Sequence, residues 1–284
     1  MSDKATISNK QQTGQHDKIT APFSIFNRPV FLSCLVFIIL ALLFSLLIFE
    51  RYMSLKESRE KEAFEIVHNA KDKMQEVLTQ SLSATKILAF LIDKNGEINN
   101  FDSIAAQVLE SGKGIDALQL VPGGVIKYVY PLKGNENVIG YNILQDPSRN
   151  KEAYKSIEKK KLFFAGPFEL RQGGMGIVGR LPVYRQNKFW GFSAVIIKMS
   201  TLYKIAGIDS LGNSGYYFQL SKLNPDTRNE QFFFQKHTEF SKGKSVSVYV
   251  PDGEWKLSVN ITSNRHVLTE IFILALLGLL RERA

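Results

Sequence analysis

Disulfide chemistry is the first thing this sequence lacks. Its 284 residues include one cysteine, Cys34, so no framework of cross-links exists and the chain must be held by its core. Histidine is nearly as scarce. His16, His68, His237 and His266 stand far apart, none with a companion at metal-ligand spacing. H-E-x-x-H and G-x-S-x-G are both missing, which argues against the commonest zinc-protease and serine-hydrolase chemistry. Neither a metal nor another cofactor is expected. Pro and Gly are absent from residues 50–92 altogether, which excludes turns there and leaves room for a long helix.

What is present begins with charge. The formal net charge is +9 with 44% hydrophobic residues, a balance open to a nucleic acid, a membrane surface or neither. The run Val30–Phe49, VFLSCLVFIILALLFSLLIF, decides among these, because it holds no charged residue, Pro or Gly. About 20 apolar residues at ~1.5 Å rise span the ~30 Å of a bilayer core. A polar leader precedes the run and no Ala-x-Ala follows it, so an uncleaved transmembrane helix is expected rather than a signal peptide.

A second apolar run, Val267–Leu280, is interrupted by Glu270 and followed by Arg281 and Arg283. It reads as a short second span with cytoplasmic flanks, or as a buried C-terminal helix. With two spans, both termini are cytoplasmic and the middle is extracytoplasmic, at the inner (plasma) membrane. That placement argues against nucleic acid as a partner. Ending so soon after a membrane run, the chain reads as the front part of something longer or as a remnant.

The organisation follows from composition. Residues 1–28 are a polar tail, 29–49 the first span, 50–92 a stalk helix, 93–205 and 206–264 two lobes, and 265–280 the short second span. Along the stalk, Val67, Ala70, Met74, Val77, Ser81, Ala84, Leu88 and Leu91 recur at three- and four-residue spacing. This stripe either packs on the chain's own globular part or forms, over Val67–Leu88, the seam of a homodimer; the two are compatible for different halves. DKNGE (Asp93–Glu97) stops the helix.

From Ile115 the pattern becomes β-rich. IDALQLV and VIKYVYPL flank Pro122–Gly124 and read as a hairpin. Asp146–Lys161 reads as a helix, with Asp146 as N-cap, Pro147 at N1 and lysines in the last turn. Strands are expected at 161–170, 174–184 and 189–199, a connecting helix at 200–211, and further strands at 215–223, 231–236, 244–250 and 254–261. The fold class is therefore α+β, with antiparallel sheets.

Gly174, Gly176 and Gly179 spell G-x-G-x-x-G. A dinucleotide loop must open a helix at this point. Here the glycines run into IVGRLPVY, whose β-branched residues favour strand and whose Pro182 breaks a helix. A turn at Gly173–Gly174 and close backbone approach within a strand fit better.

The ordered series DALQLVPGGVIKYVYPLKGNENVIGYNIL, AGPFELRQGGMGIVGRLPVY and FWGF resembles the CHASE domain, the extracytoplasmic sensory domain of many bacterial histidine kinases and nucleotide cyclases and of plant cytokinin receptors. The resemblance covers about residues 85–205 and extends weakly to about 262. It implies a long membrane-attached helix and two PAS-like lobes, with a small molecule bound in the membrane-distal lobe. Carried over, it points to a pocket of Leu118, Tyr128, Ala165, Pro167, Leu170, Gly174, Ile177 and Arg180. Arg180, where the plant receptors have small or hydroxyl residues, and Arg149 and Asn150, where an acid would hold an adenine-type ligand, point away from a cytokinin. Arg180 either meets an acidic ligand by a bidentate contact or forms a salt bridge, with Glu169 as partner.

Three functions compete: the sensing input of a receptor, a binding or scaffolding protein without output, and a membrane-anchored enzyme. No segment resembles a phosphoacceptor helix, an ATP-binding domain or a cyclase domain. Any catalytic output is expected beyond Ala284 or in another chain.

Overall fold

A computed structural model describes residues 29–208, 216–224, 227–234 and 245–261. The polar tail, the expected second span at 265–280, and His16, His237 and His266 lie outside the described residues. The described chain begins with a helix, α1 (Pro29–Phe90). It belongs to two compact units, one ending at Met53 and the other starting at Ser54. In the first unit the apolar run is exposed along its length, with Val30, Phe37, Leu42, Leu46 and Phe49 all outward. It is long and apolar enough to cross a membrane.

The second unit holds the globular fold. α2 (Phe101–Ser111), β1 (Ala117–Pro122), β2 (Tyr128–Tyr130), α3 (Asn150–Lys159), β3 (Phe163–Glu169), β4 (Met175–Arg185), β5 (Lys188–Lys198) and α4 (Met199–Ala206) form the first lobe. β6 (Tyr216–Leu223), β7 (Glu230–Phe232), β8 (Ser245–Val250) and β9 (Trp255–Ile261) form the second. The first sheet has the order β2-β1-β5-β4-β3 and the second β7-β6-β9-β8, with antiparallel pairing throughout. The architecture is α+β.

Local chemistry explains the elements. Tyr184–Lys188 turns tightly because Gln186 and Asn187 both adopt positive φ (48° and 63°), the geometry that suits the twist of a two-residue hairpin. The expected helix at Asp146 starts later, at Asn150. Asp146 instead holds a turn, its Oδ1 accepting from Ser148 N and Oγ at 2.8 and 2.7 Å. α2 was not anticipated from the sequence.

Both sheets and the helix share one core. Ala63, Val67, Ala70, Met74, Val77 and Leu88 of α1 are buried together with Leu118, Leu120, Ile177 and Val195 of the first sheet and Leu220, Trp255 and Leu257 of the second. This corrects the expected dimer seam. Val67, Ala70, Met74, Val77, Ser81, Ala84 and Leu88 are all buried within the single chain, so no surface of theirs is left for a partner helix. The stripe packs on its own lobes.

The glycine series finds its reason in the same packing. A Cβ at Gly179 would stand 2.7 Å from Phe164 Cε1 and 2.9 Å from Val195 Cγ2, and one at Gly176 2.5 Å from Leu170 Cδ1. Phe164 and Leu170 occupy the space a side chain would need. Gly174, at φ +79°, makes the turn into β4.

Candidate ligand-binding site

Strand alternation gives the first sheet two apolar faces. One packs on α1. The other carries a row that crosses the sheet: Gln119 on β1 opposes Ala194 on β5, which opposes Arg180 on β4. Opposed residues in antiparallel strands share a face, and the small Ala194 leaves space to the longer side chains beside it. Arg180 and Gln119 are 5% and 4% exposed, polar groups in otherwise apolar strands.

Above this row lies a cavity of about 40 Å³. Its apolar lining includes Val121, Ile126, Val138, Phe168 and Val178, and its polar lining is Gln119, Tyr141, Arg149, Glu169, Arg171, Gln172 and Arg180. The cover is the segment after β2, with a 3-10 turn at Glu136–Val138. Several contacts tie it down. Asn137 Nδ2 donates to Arg171 O at 2.6 Å, and the Arg171 guanidinium stacks 4.2 Å above the Tyr141 ring. Arg149 Nη2 donates to Glu169 O at 2.6 Å while its guanidinium lies 3.8 Å over Phe168. Tyr141 Oη donates to Asp146. That bond and the two from Ser148 hold the Asp146 carboxyl down at about 2. Burial raises the Tyr141 phenol, and the Asp146 carboxylate raises it further.

Arg180 is the unusual member. Its Nη1 is buried without a hydrogen-bond partner. No ion pair joins it to Glu169 among the described residues, so the expected salt-bridge alternative is not formed. Burial lowers its pKa to about 10, Glu152 working against that shift and Arg149 with it. At about 1.36 kcal/mol per pKa unit, holding the charge there costs the fold on the order of 3 kcal/mol.

The expected pocket residues separate by strand parity. Leu170 and Arg180 line the cavity. Ala165 shares their face, being opposed to Val178, but stands outside the lining. Leu118, Ile177 and Tyr128 belong to the opposite face and pack in the core around α1, which corrects their assignment. Pro167 sits where the β3–β4 register shifts, and Gly174 lies in the exposed turn; neither lines the cavity. Gln119 and Arg171 were missed. Asn150 braces the cover, its Nδ2 donating to Leu144 O at 3.4 Å.

Residues 96–233, which contain this site, match the family model of the CHASE domain. This segment thus resembles a CHASE domain. No curated protein sequence matches the chain. Among solved structures, an extracellular ligand-binding receptor from Desulfohalobium retbaense is similar at 12% identity and a TM-score of 0.55, over 71% of this chain and 40% of that one. The chain thus spans less than half of that receptor's length. The extracellular domain of the candidate histidine kinase soHK1S-Z6 is similar at 12% identity and TM-score 0.50, over 78% and 99% of the two chains. A Pseudomonas aeruginosa amino-acid chemoreceptor domain, PctC in complex with GABA, gives 15% identity and TM-score 0.48, over 71% and 98%. At these identities the likeness is one of fold. The described fold, two antiparallel sheets on a long helix, is PAS-like.

Proposed function

We propose that this chain is the input part of a membrane receptor. α1 anchors it at the inner membrane, the two lobes lie outside the cytoplasm, and a small molecule binds in the first, membrane-distal lobe. The observation that carries this reading is the cavity over the Gln119–Ala194–Arg180 row. It joins apolar walls to convergent polar groups beneath a tethered cover, the usual make-up of a ligand site. Enzymatic output, kinase or cyclase, belongs to whatever partner or further segment receives the signal. Pairing of two copies is part of this reading, with the contact on the exposed side of α1 rather than on its buried stripe.

The test is a thermal-shift screen of the full chain in detergent, repeated on Val138→Phe. That substitution fills the cavity from the cover and leaves the sheet intact. A compound that binds the folded form raises the midpoint, and the shift should disappear in Val138→Phe. A hit that shifts both proteins equally would bind elsewhere and remove the cavity from the reading.

A further inference from the structure

Among the described residues, the Arg180 guanidinium is buried without a hydrogen-bond or ion-pair partner. A guanidinium stays charged at any physiological pH, and a buried charge needs a partner. Arg180 has none. Its side chain makes no hydrogen bond or ion pair among the described residues, and Nη1 is fully enclosed. Among the described residues, the acids near it are spoken for or turned away. Glu152 gives Oε1 to Lys222 Nζ at 2.6 Å and Oε2 to the Gly166 N–H at 2.9 Å. Asp146 is held by Tyr141 and Ser148. Glu169 stands exposed at the rim. Arg149, on the same cavity, adds a second positive group instead of relieving the first.

We infer that the cavity takes a short carboxylate, its two oxygens paired with the Arg180 guanidinium and its apolar remainder against Val121, Val138 and Val178. This rests on the sensing reading above and names the ligand class for it. A carboxylate matches the planar fork of a guanidinium with two parallel hydrogen bonds. The Gln119 carboxamide, one strand beyond Ala194 in the same row, makes no side-chain hydrogen bond among the described residues and is free to donate a third. A phosphate dianion fits less well, because Arg149 and Arg171 are engaged with Glu169 O and the Tyr141 ring, which leaves Arg180 to meet the charge of a ligand. Size sets the other limit. At about 40 Å³, where one water needs roughly 10–15 Å³, the space holds about three water-sized groups and suits the shortest carboxylates, acetate first.

The experiment measures the midpoint of the full chain in detergent with acetate, propionate, butyrate and pyruvate, against acetamide, propionamide and butyramide as neutral isosteres. At a hundredfold excess over Kd, a binding carboxylate should raise the midpoint by about 5 °C, and its amide should not. Arg180→Gln should weaken that carboxylate by at least about 30-fold. Without ligand, Arg180→Gln should melt no lower than the wild type, because a buried unpaired charge has been removed; this keeps lost binding separate from lost folding. The inference is overturned if no carboxylate in the panel shifts the midpoint, if the amides match the acids, or if Arg180→Gln binds as the wild type does. Amide binding that Val138→Phe abolishes would overturn the carboxylate and leave the sensing reading standing. Hits that Val138→Phe leaves untouched would overturn both.

Discussion

Lys222 Nζ lies 2.6 Å from Glu152 Oε1, and this ion pair joins β6 of the second lobe to α3 of the first. Lys222 is 8% exposed. Lys155 and Lys159 of α3 also reach Glu254 at 2.7 and 3.0 Å, and Trp255 Nε1 donates to Gly166 O at 3.1 Å. Four contacts thus bind the lobes along α3 and the bulge of β3. Burial would raise the Glu254 carboxyl, but the two lysines outweigh it and hold the group low.

Glu152→Gln should be more damaging than Lys222→Met. Removing the acid leaves Lys222 buried without its anion and takes from Arg180 the one carboxylate that favours its charge. Breaking a buried pair by losing one partner costs about 3–5 kcal/mol. Removing the lysine leaves Glu152 still accepting from Gly166 N, so the loss should be smaller. Chemical unfolding followed by fluorescence of the buried Trp255 would give the order; equal losses would show that Arg180 draws no stability from Glu152.

Met74 sits at 0% exposure in the shared core. Met74→Ala should lower unfolding stability by about 2–5 kcal/mol and leave the oligomeric state of the folded protein unchanged. Light scattering in detergent would decide. Dissociation of a dimer without loss of stability would return the stripe to a role between chains.

Gly179→Ala should cost about 1–3 kcal/mol through overpacking against Phe164 and Val195. Gly174→Ala meets no neighbour but must hold φ +79°, a strain of about 1 kcal/mol. Unfolding midpoints of the pair measure the difference. A larger effect at Gly174 would mean that the turn, not the packing, is what the glycine series serves.

Asp146 gives the cover a dependence on acid. Its folded pKa lies near 2, below the ordinary carboxylate value. Its contribution is therefore complete above about pH 4 and is lost as pH falls toward 2. Asp146→Asn should flatten the fall in midpoint between pH 4.5 and 2.5, and an unchanged profile would assign the acid sensitivity to other groups.

Much of the fold was legible because each strand of the first sheet announces itself. VIKYV, GIVGRLPVY and FSAVIIK are β-branched and bounded by Gly, Pro or Asn turns. α2 escaped because Phe101–Ser111 is short and follows a turn-rich stretch. Its signal was there in Phe101, Ala105 and Val108, spaced for one face and all buried. The site was legible in composition but not in parity. β1 is buried on both faces, so hydrophobicity alone could not tell that Leu118 meets the helix while Gln119 meets the cavity. The informative feature was the polar residue inside an apolar run, Gln119 in ALQLV and Arg180 in GIVGRLP. The seam failed for a related reason: a helical stripe records burial, whichever surface provides it.

β4 ends at Arg185, whose Nη2 donates to Ala89 O at 2.5 Å and to Ile92 O at 3.0 Å, just where α1 runs out. Arg180 lies five residues earlier on the same strand, about 17 Å away at ~3.3 Å per residue. One guanidinium therefore grips the end of α1 while another, on the same strand, lines the cavity. Were a ligand on Arg180 to draw β4 along its own axis, Arg185 and its hold on the last turn of α1 would be drawn with it.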